Sequence, residues 1–162
     1  MTFHVRRQDK EITDKRLLKK ILKTAEYVTI ALSKDNQPYL VSLSHAYDED
    51  RNCLYFHCAR EGKKLHYLKS NNAVWGQALL DYGCSEDPEC THLYASVHFS
   101  GKVTLIDNPE EKRRAMRCMI NQLCKNPEAL MTNVNLDRLK NTAMGRIDME
   151  QMSGKKSKEV SI

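Results

Sequence analysis

Long apolar runs are missing from this chain. No stretch reaches the 18 or so residues that a membrane-spanning helix needs, so no membrane association is expected. No apolar segment follows the basic residues of MTFHVRRQDKE, so no secretory leader is expected and the cytoplasm is the default compartment. The nucleotide fingerprints GxGxxG and GxxxxGK[ST] are absent. So are the HExxH of metalloproteases and the GxSxG of hydrolases. There is no internal repeat and no low-complexity linker. At 162 residues the chain reads as one domain, with an N-terminal arm over 1–12 and a polar tail over 153–162.

Six cysteines are present, but none is spaced as CxxC or CxxCH. An even count suits disulfides only in an oxidising compartment. Cys118 and Cys124, six apart on a helix, point about 120° away from each other. A dedicated zinc or iron–sulfur site is therefore not expected. Structural and loop thiols fit better. Cys84 and Cys90 lie in a polar loop, where a redox-sensing role stays open.

Charge is unevenly placed. The first 24 residues hold eight Lys and Arg against three Asp and Glu, which accounts for the whole net charge of +5. The remaining 18 of each sign balance. That is one basic arm and helix, better read as a solvated face than as a nucleic-acid surface, and no nucleic-acid partner is expected.

The periodicity gives a mainly β chain with a few helices. ITDKRLLKKILKTA is amphipathic, with Thr13 as its expected cap. YVTIALS, PYLVSLSHAY and CLYFHCA read as three strands joined by the turns KDNQ and DEDRN. A short helix follows Gly62, with Leu65 and Leu68 turned inward. AVWGQALLDY is a fourth strand. HLYASVHFSGKVTLID is long enough for one bent strand or two, with the bend at Gly101. NPEEKRRAMRCMINQLCKN is a strong helix, capped by Asn108 and carrying Ala115, Met116, Met119, Ile120 and Leu123 on its expected inner stripe. AMGRIDMEQMSG is the last strand. Hairpins with segregated helices predict a small barrel or α+β fold, not a doubly wound sheet.

The densest polar cluster lies at a strand end, YFHCAREGKKLHYL. A phosphate needs backbone donors that approach closely, plus cations. Gly62 permits the approach, and Arg60, Lys63 or Lys64 supply charge. A helix starting there adds free N–H groups. A solvated turn between strand and helix has the same pattern. In VSLSHAY, Ser42 and Ser44 share one face, either hydrogen-bonding a planar ligand or facing water. In LYASVHF, Tyr94, Ser96 and His98 share one face in the same way. His57 and His45 could serve as a general acid or base, although strand histidines are more often structural.

Five segments in order resemble the FMN-binding split barrels related to pyridoxamine 5'-phosphate oxidase, in particular the nitroimidazole-resistance branch. They are RRQDKEITD, AEYVTIALSKDNQPYLVSLSHAY, LYFHCAREGKKLHYL, YASVHFSGKVTLID and GRIDMEQMSGKKS. The third looks like the branch's strand–His–x–Ala–x–x–Gly–Lys/Arg–Lys–Leu signature. The resemblance implies a six-stranded antiparallel split barrel and a homodimer with FMN between subunits. It places Val41, Ser42, Leu43 and Ser44 beside the isoalloxazine ring. His57, Cys58 and Ala59 would border the ribityl chain or phosphate, with Gly62 and Lys64, and more weakly Lys63 and Arg60, at the phosphate. Tyr94, Ser96 and Val97 would approach from the later strand. His57 is the candidate catalytic residue. The implied activity is reduction of a small organic substrate, a nitro compound among the candidates. A flavin- or haem-binding carrier or sensor without turnover is the alternative. The sequence departs from the pattern at GCSEDPECTH. The strand YLVSLSHAY has no arginine or lysine, and the oxidases' C-terminal substrate segment is not recognisable. Both differences argue against vitamin biosynthesis.

Overall fold

Six strands close on themselves because each carries alternating apolar side chains with no room for them outside a shared interior. The computed structural model describes residues 5–85, 90–131 and 142–162. Strands β1 (Tyr27–Lys34), β2 (Gln37–Asp48), β3 (Cys53–Ala59), β4 (Ala73–Ser85), β5 (Thr91–Leu105) and β6 (Thr142–Lys156) are all antiparallel to their neighbours. Around the barrel they run β1-β2-β3-β6-β5-β4, and β4 pairs back onto β1. The β1–β2 hairpin turns on Asp35 and Asn36, both at positive φ (49° and 59°). That is the two-residue turn whose twist suits a hairpin, and Asp and Asn tolerate it best after glycine.

The interior is filled by Val28, Ile30, Leu54, Phe56, Val97 and Ile147, all fully buried. Helix α1 (Lys15–Thr24) stoppers the barrel with Leu18, Ile21 and Leu22. Its cap is Asp14, which accepts the Arg16 N–H, and not Thr13 as the sequence suggested. The carboxylate also pairs with the Arg16 guanidinium, which a threonine hydroxyl could not match. Helix α2 (Lys63–Ser70) follows β3, and its Leu65 and Leu68 are buried as expected.

A second, smaller core lies outside the barrel. Helix α3 (Pro109–Leu123) lays Ala115 and Met119 on Ala46, Tyr55 and Met144. Asn108 caps it, accepting the Glu111 N–H, with Pro109 in its first turn. Leu123, placed on the inner stripe by its spacing, is instead 39% exposed, because the helix ends there and the chain turns away. A short helix α4 (Pro127–Met131) follows. No described helix is long and apolar enough to cross a membrane.

The long β5 is one strand, with its register shifting between Ser100 and Gly101. Two ends differ from the periodicity reading. β4 runs on to Ser85, through residues whose polar, glycine-bearing sequence predicts a loop, and β6 runs to Lys156. Beyond it Ser157 and Val160 are buried, and the Ser157 N–H bonds the Tyr94 carbonyl, so 153–162 packs on the barrel despite its polar composition. On the arm, Ile12 is buried and its N–H bonds the Gly154 carbonyl.

Gln122 of α3 finishes β2. The β1 ladder stops at Tyr27–Ser44, leaving the edge of β2 beyond it without a strand. The Gln122 amide takes that place. Its Oε1 accepts the Tyr47 N–H at 2.9 Å, and its Nε2 donates to the carbonyls of His45 (3.4 Å) and Leu22 (3.2 Å). Gln122→Leu keeps the bulk and strands the Tyr47 N–H and the His45 carbonyl, while the Leu22 carbonyl keeps its bond from His45 Nε2. A loss of about 3 kcal/mol is expected in urea unfolding, since each buried orphan costs about 1–3 kcal/mol. A loss under about 1 kcal/mol would mean that water substitutes freely and the clamp is incidental.

His45 lies in the same knot, fully buried, with Nε2 donating to the Leu22 carbonyl at 2.7 Å and Nδ1 unpartnered. Burial pushes its pKa down, outweighing the upward pull of the Leu22 carbonyl. The native ring is therefore neutral. Below about pH 6.5 the unfolded chain binds a proton that the native ring refuses. Stability should thus fall as pH drops below that value, by up to about 1.4 kcal/mol per pH unit, until the native ring titrates. Urea midpoints at pH 7.5 and 5.5 check this. His45→Gln should flatten the difference, and an unchanged slope in the variant would assign it elsewhere, for instance to His98, which burial and Lys155 also push down.

Candidate functional site

The β2–β3 ladder is short. It runs from Asp48–Cys53 to His45–Phe56 and stops. β2 nonetheless stays paired to β1 from Ser44 back to Gln37, and β3 stays paired to β6 as far as Ala59–Thr142. The two strands therefore splay apart, and Ser42–Ser44 face His57–Ala59 across a gap with no ladder between them. Backbone donors and acceptors on such edges demand partners. The opening is a groove of about 470 Å³ lined by Ser42, Leu43, Ser44, His57, Cys58, Ala59, Lys64 and Thr142.

Period-2 alternation sets which side chains enter. Ser42 and Ser44 are exposed, while Leu43 between them is buried in the barrel. Ser42 Oγ lies 2.9 Å from Thr29 Oγ1 on β1, which fixes its rotamer. On β3, Phe56 points into the core, His57 is exposed at the groove mouth, and Cys58 is half-buried. Burial raises the Cys58 thiol pKa, partly offset by the nearby Lys64 charge. The thiol is thus a neutral, weakly polar part of the wall.

The lower end of the groove is built for an anion. Gly62 precedes α2 with φ 127° and ψ 174°, a conformation that side chains rarely adopt. A Cβ there would meet nothing within 4 Å, so backbone conformation and not space calls for glycine. The first bond inside α2 is His66 N–H to the Gly62 carbonyl. The N–H groups of Lys63, Lys64 and Leu65 therefore have no intrahelical acceptor, and the helix dipole adds positive potential. Lys64 lines the groove from this turn, its ammonium 5.8 Å from the Phe56 ring centroid.

Several expected site residues fall elsewhere. Lys63 turns away, its ammonium 4.6 Å from the Tyr39 ring centroid and 5.6 Å from that of Tyr67. One position along a helix is a rotation of about 100°, which separates it from Lys64. Arg60 is exposed and does not line the groove. The Val41 side chain packs toward the barrel, as alternation with Ser42 requires. Tyr94, Ser96 and Val97 sit on β5, across the barrel from β2. There Val97 is fully buried, Ser96 nearly so, and the Tyr94 ring lies 5.7 Å from the Lys10 ammonium. They line no part of this groove within one chain. Thr142 is the wall residue missed by pattern. Its only signal was a β-branched residue just before the last strand. Among the described residues no group of three His, Cys, Asp or Glu could hold a metal ion.

Beside the groove the outer face of β1, β2 and β4 exposes Tyr27 (58%), Leu40 (67%), Trp75 (50%) and Leu79 (49%). The registers Tyr27–Ser44, Ala31–Leu40 and Ala31–Trp75 put Ser42, Ser44 and this apolar strip on one face.

A family model described as pyridoxamine 5'-phosphate oxidase matches residues 14–156. No curated protein sequence matches the chain. Among solved structures, it is similar to a candidate 5-nitroimidazole antibiotic resistance protein from Bacteroides thetaiotaomicron. Identity is 25% over 90% of this chain and 85% of that one, with a TM-score of 0.78. A flavocytochrome from Azotobacter vinelandii gives 17% identity, coverage of 98% and 75%, and a TM-score of 0.79. An FAD and heme binding protein from Mycobacterium smegmatis gives 18%, 94% and 76%, and 0.78. The last two are likenesses of fold.

Proposed function

The chain belongs to the pyridoxamine 5'-phosphate oxidase family, and from that premise we propose that it is a flavoprotein holding FMN in the β2–β3 split. One observation carries the reading: two unpaired strand edges run into a glycine turn, three free helix N–H groups and one lysine. The donor set fits the cofactor. Hydroxyls and strand edges suit the polar rim of a flat ring, and a helix N-terminus with a cation suits a phosphate. FAD, named for the M. smegmatis neighbour, is the competing occupant.

When bound, the flavin supplies electron transfer to a small organic acceptor. The chain binds and orients. Lys64 and the α2 N–H groups hold the phosphate end. Ser42, with its rotamer fixed by Thr29, and Ser44 set the ring's register along β2. His57, exposed at the mouth, is placed to hand a proton to the acceptor. We propose a nitro compound as substrate class, supported by the similarity to the nitroimidazole-resistance protein. The lack of Arg or Lys from Pro38 to Tyr47, where the oxidases carry an arginine-rich strand for the FMN phosphate, speaks against a role in vitamin biosynthesis. A second copy of the chain covers the strip of Tyr27, Leu40, Trp75 and Leu79. An exposed apolar face of this kind marks an interface. A homodimer would also bring a second chain's surface over the open groove.

The activity is tested anaerobically. Protein reconstituted with FMN is reduced with dithionite, and a 5-nitroimidazole is added. Reoxidation faster than in buffer with free FMN is expected, and equal rates would remove the nitroreductase reading.

A further inference from the structure

Cys84 and Cys90 belong to neither the groove nor either core. Their sulfur atoms lie 3.0 Å apart on the exposed end of the β4–β5 hairpin. We propose that they are a peroxide-responsive dithiol, closing reversibly into an intramolecular disulfide that staples the hairpin.

The backbone builds the pair. The β4–β5 ladder shifts register between Asp81 and Cys84, where Gly83 takes φ 79° and donates its N–H to Asp81 Oδ1 at 2.8 Å. After this bulge the ladder resumes with Cys84–His92 and Ser85–Thr91. Cys84, His92 and Cys90 therefore share one face, with Cys90 diagonal to Cys84, a position that side chains reach across. Two ladder pairs hold the strands in place, so forming an S–S bond of about 2.05 Å needs about 1 Å of sulfur movement. His92, directly opposite Cys84, is held by Asp81 Oδ1 at 2.9 Å.

The other thiols are poor competitors. Cys53 is buried and its pKa is pushed up to about 11. Burial also raises those of Cys58 and Cys118. The Cys84 thiol is raised as well, by its hydrogen bond with Cys90, so exposure and the 3.0 Å approach set the pair apart. Only Cys84 and Cys90 are exposed, and exposure with thiolate access governs oxidation.

The step balances with a hydroperoxide as oxidant. One thiolate attacks the O–O bond, forming a sulfenic acid and releasing the alcohol, or water from hydrogen peroxide. The second thiolate attacks that sulfur, the S–O bond breaks, and hydroxide leaves as water on taking the thiol's proton. Two thiols and one hydroperoxide become one disulfide, one alcohol and one water. A dithiol reductant reverses it.

The full-length protein is treated with stoichiometric hydrogen peroxide, alkylated and digested with trypsin. No Lys or Arg lies between Lys69 and Lys102, so both cysteines fall in one peptide. Expected is that peptide unalkylated and about 2 Da lighter than the dithiol form, restored by dithiothreitol. Cys84→Ser and Cys90→Ser should each divert the remaining thiol to sulfenic or sulfinic acid. Equal alkylation of Cys84 and Cys90 before and after peroxide would overturn the proposal. So would over-oxidation of both in the unaltered chain, or a disulfide between two chains on a non-reducing gel. None of these readouts depends on a bound flavin, so the proposal stands or falls apart from the cofactor assignment.

Discussion

Lys64→Glu should weaken FMN binding by about 100-fold or more. A charge-assisted hydrogen bond is worth about 1.5–3 kcal/mol, and each 1.4 kcal/mol is about tenfold in affinity. Reversing the charge adds repulsion where α2 presents three free N–H groups to an anion. The neighbouring Lys63→Glu supplies the contrast. Its ammonium sits against Tyr39 and Tyr67, outside the groove lining. It should change affinity by less than about fivefold, the screened effect of an exposed charge. Fluorescence-quenching titration of both variants reads the difference. Equal losses would mean that only general positive charge matters, and no loss at Lys64 would place the phosphate elsewhere.

Gly101→Ala should be the most damaging small substitution in the barrel. A Cβ at Gly101 would lie 2.2 Å from the Asp148 carbonyl oxygen and 3.2 Å from the Met149 Cα. Those are backbone atoms of β6, and no rotamer change relieves them. The ladder itself must shift, at about 3 kcal/mol or more. For a chain of this size that is a drop in Tm of about 6–12 °C. The contact exists because the register jumps from Ser100–Gln151 to Gly101–Met149, bringing the strands together at the bulge. A drop under about 2 °C would argue that this register is wrong.

Much of the barrel was legible because strand chemistry is local. Alternation in YVTIALS and PYLVSLSHAY, Asp-Asn at a turn and Pro109 after Asn108 each act within a few residues. The groove was half legible for the same reason: Ser42, Ser44, His57 and Lys64 announce themselves by face and by position around Gly62. What escaped depends on ring order. Nothing near Tyr94, Ser96 or Val97 says that β5 stands opposite β2, and nothing near Gln122 says that its amide replaces a missing strand 75 residues earlier. The polar tail misled for a related reason. Lys155 and Lys156 read as solvated, but their backbone completes the β5 ladder, and burial follows the backbone there.

The most direct test of the account is the absorbance spectrum of the freshly purified protein, repeated after adding one equivalent of FMN per chain. Flavin bands at about 370 and 450 nm are expected, shifted and sharpened relative to free FMN by the ordered groove. Lys64→Glu should lose the bound flavin on gel filtration. A colourless protein that leaves added FMN unbound, or a haem band near about 400 nm in place of flavin bands, would contradict it.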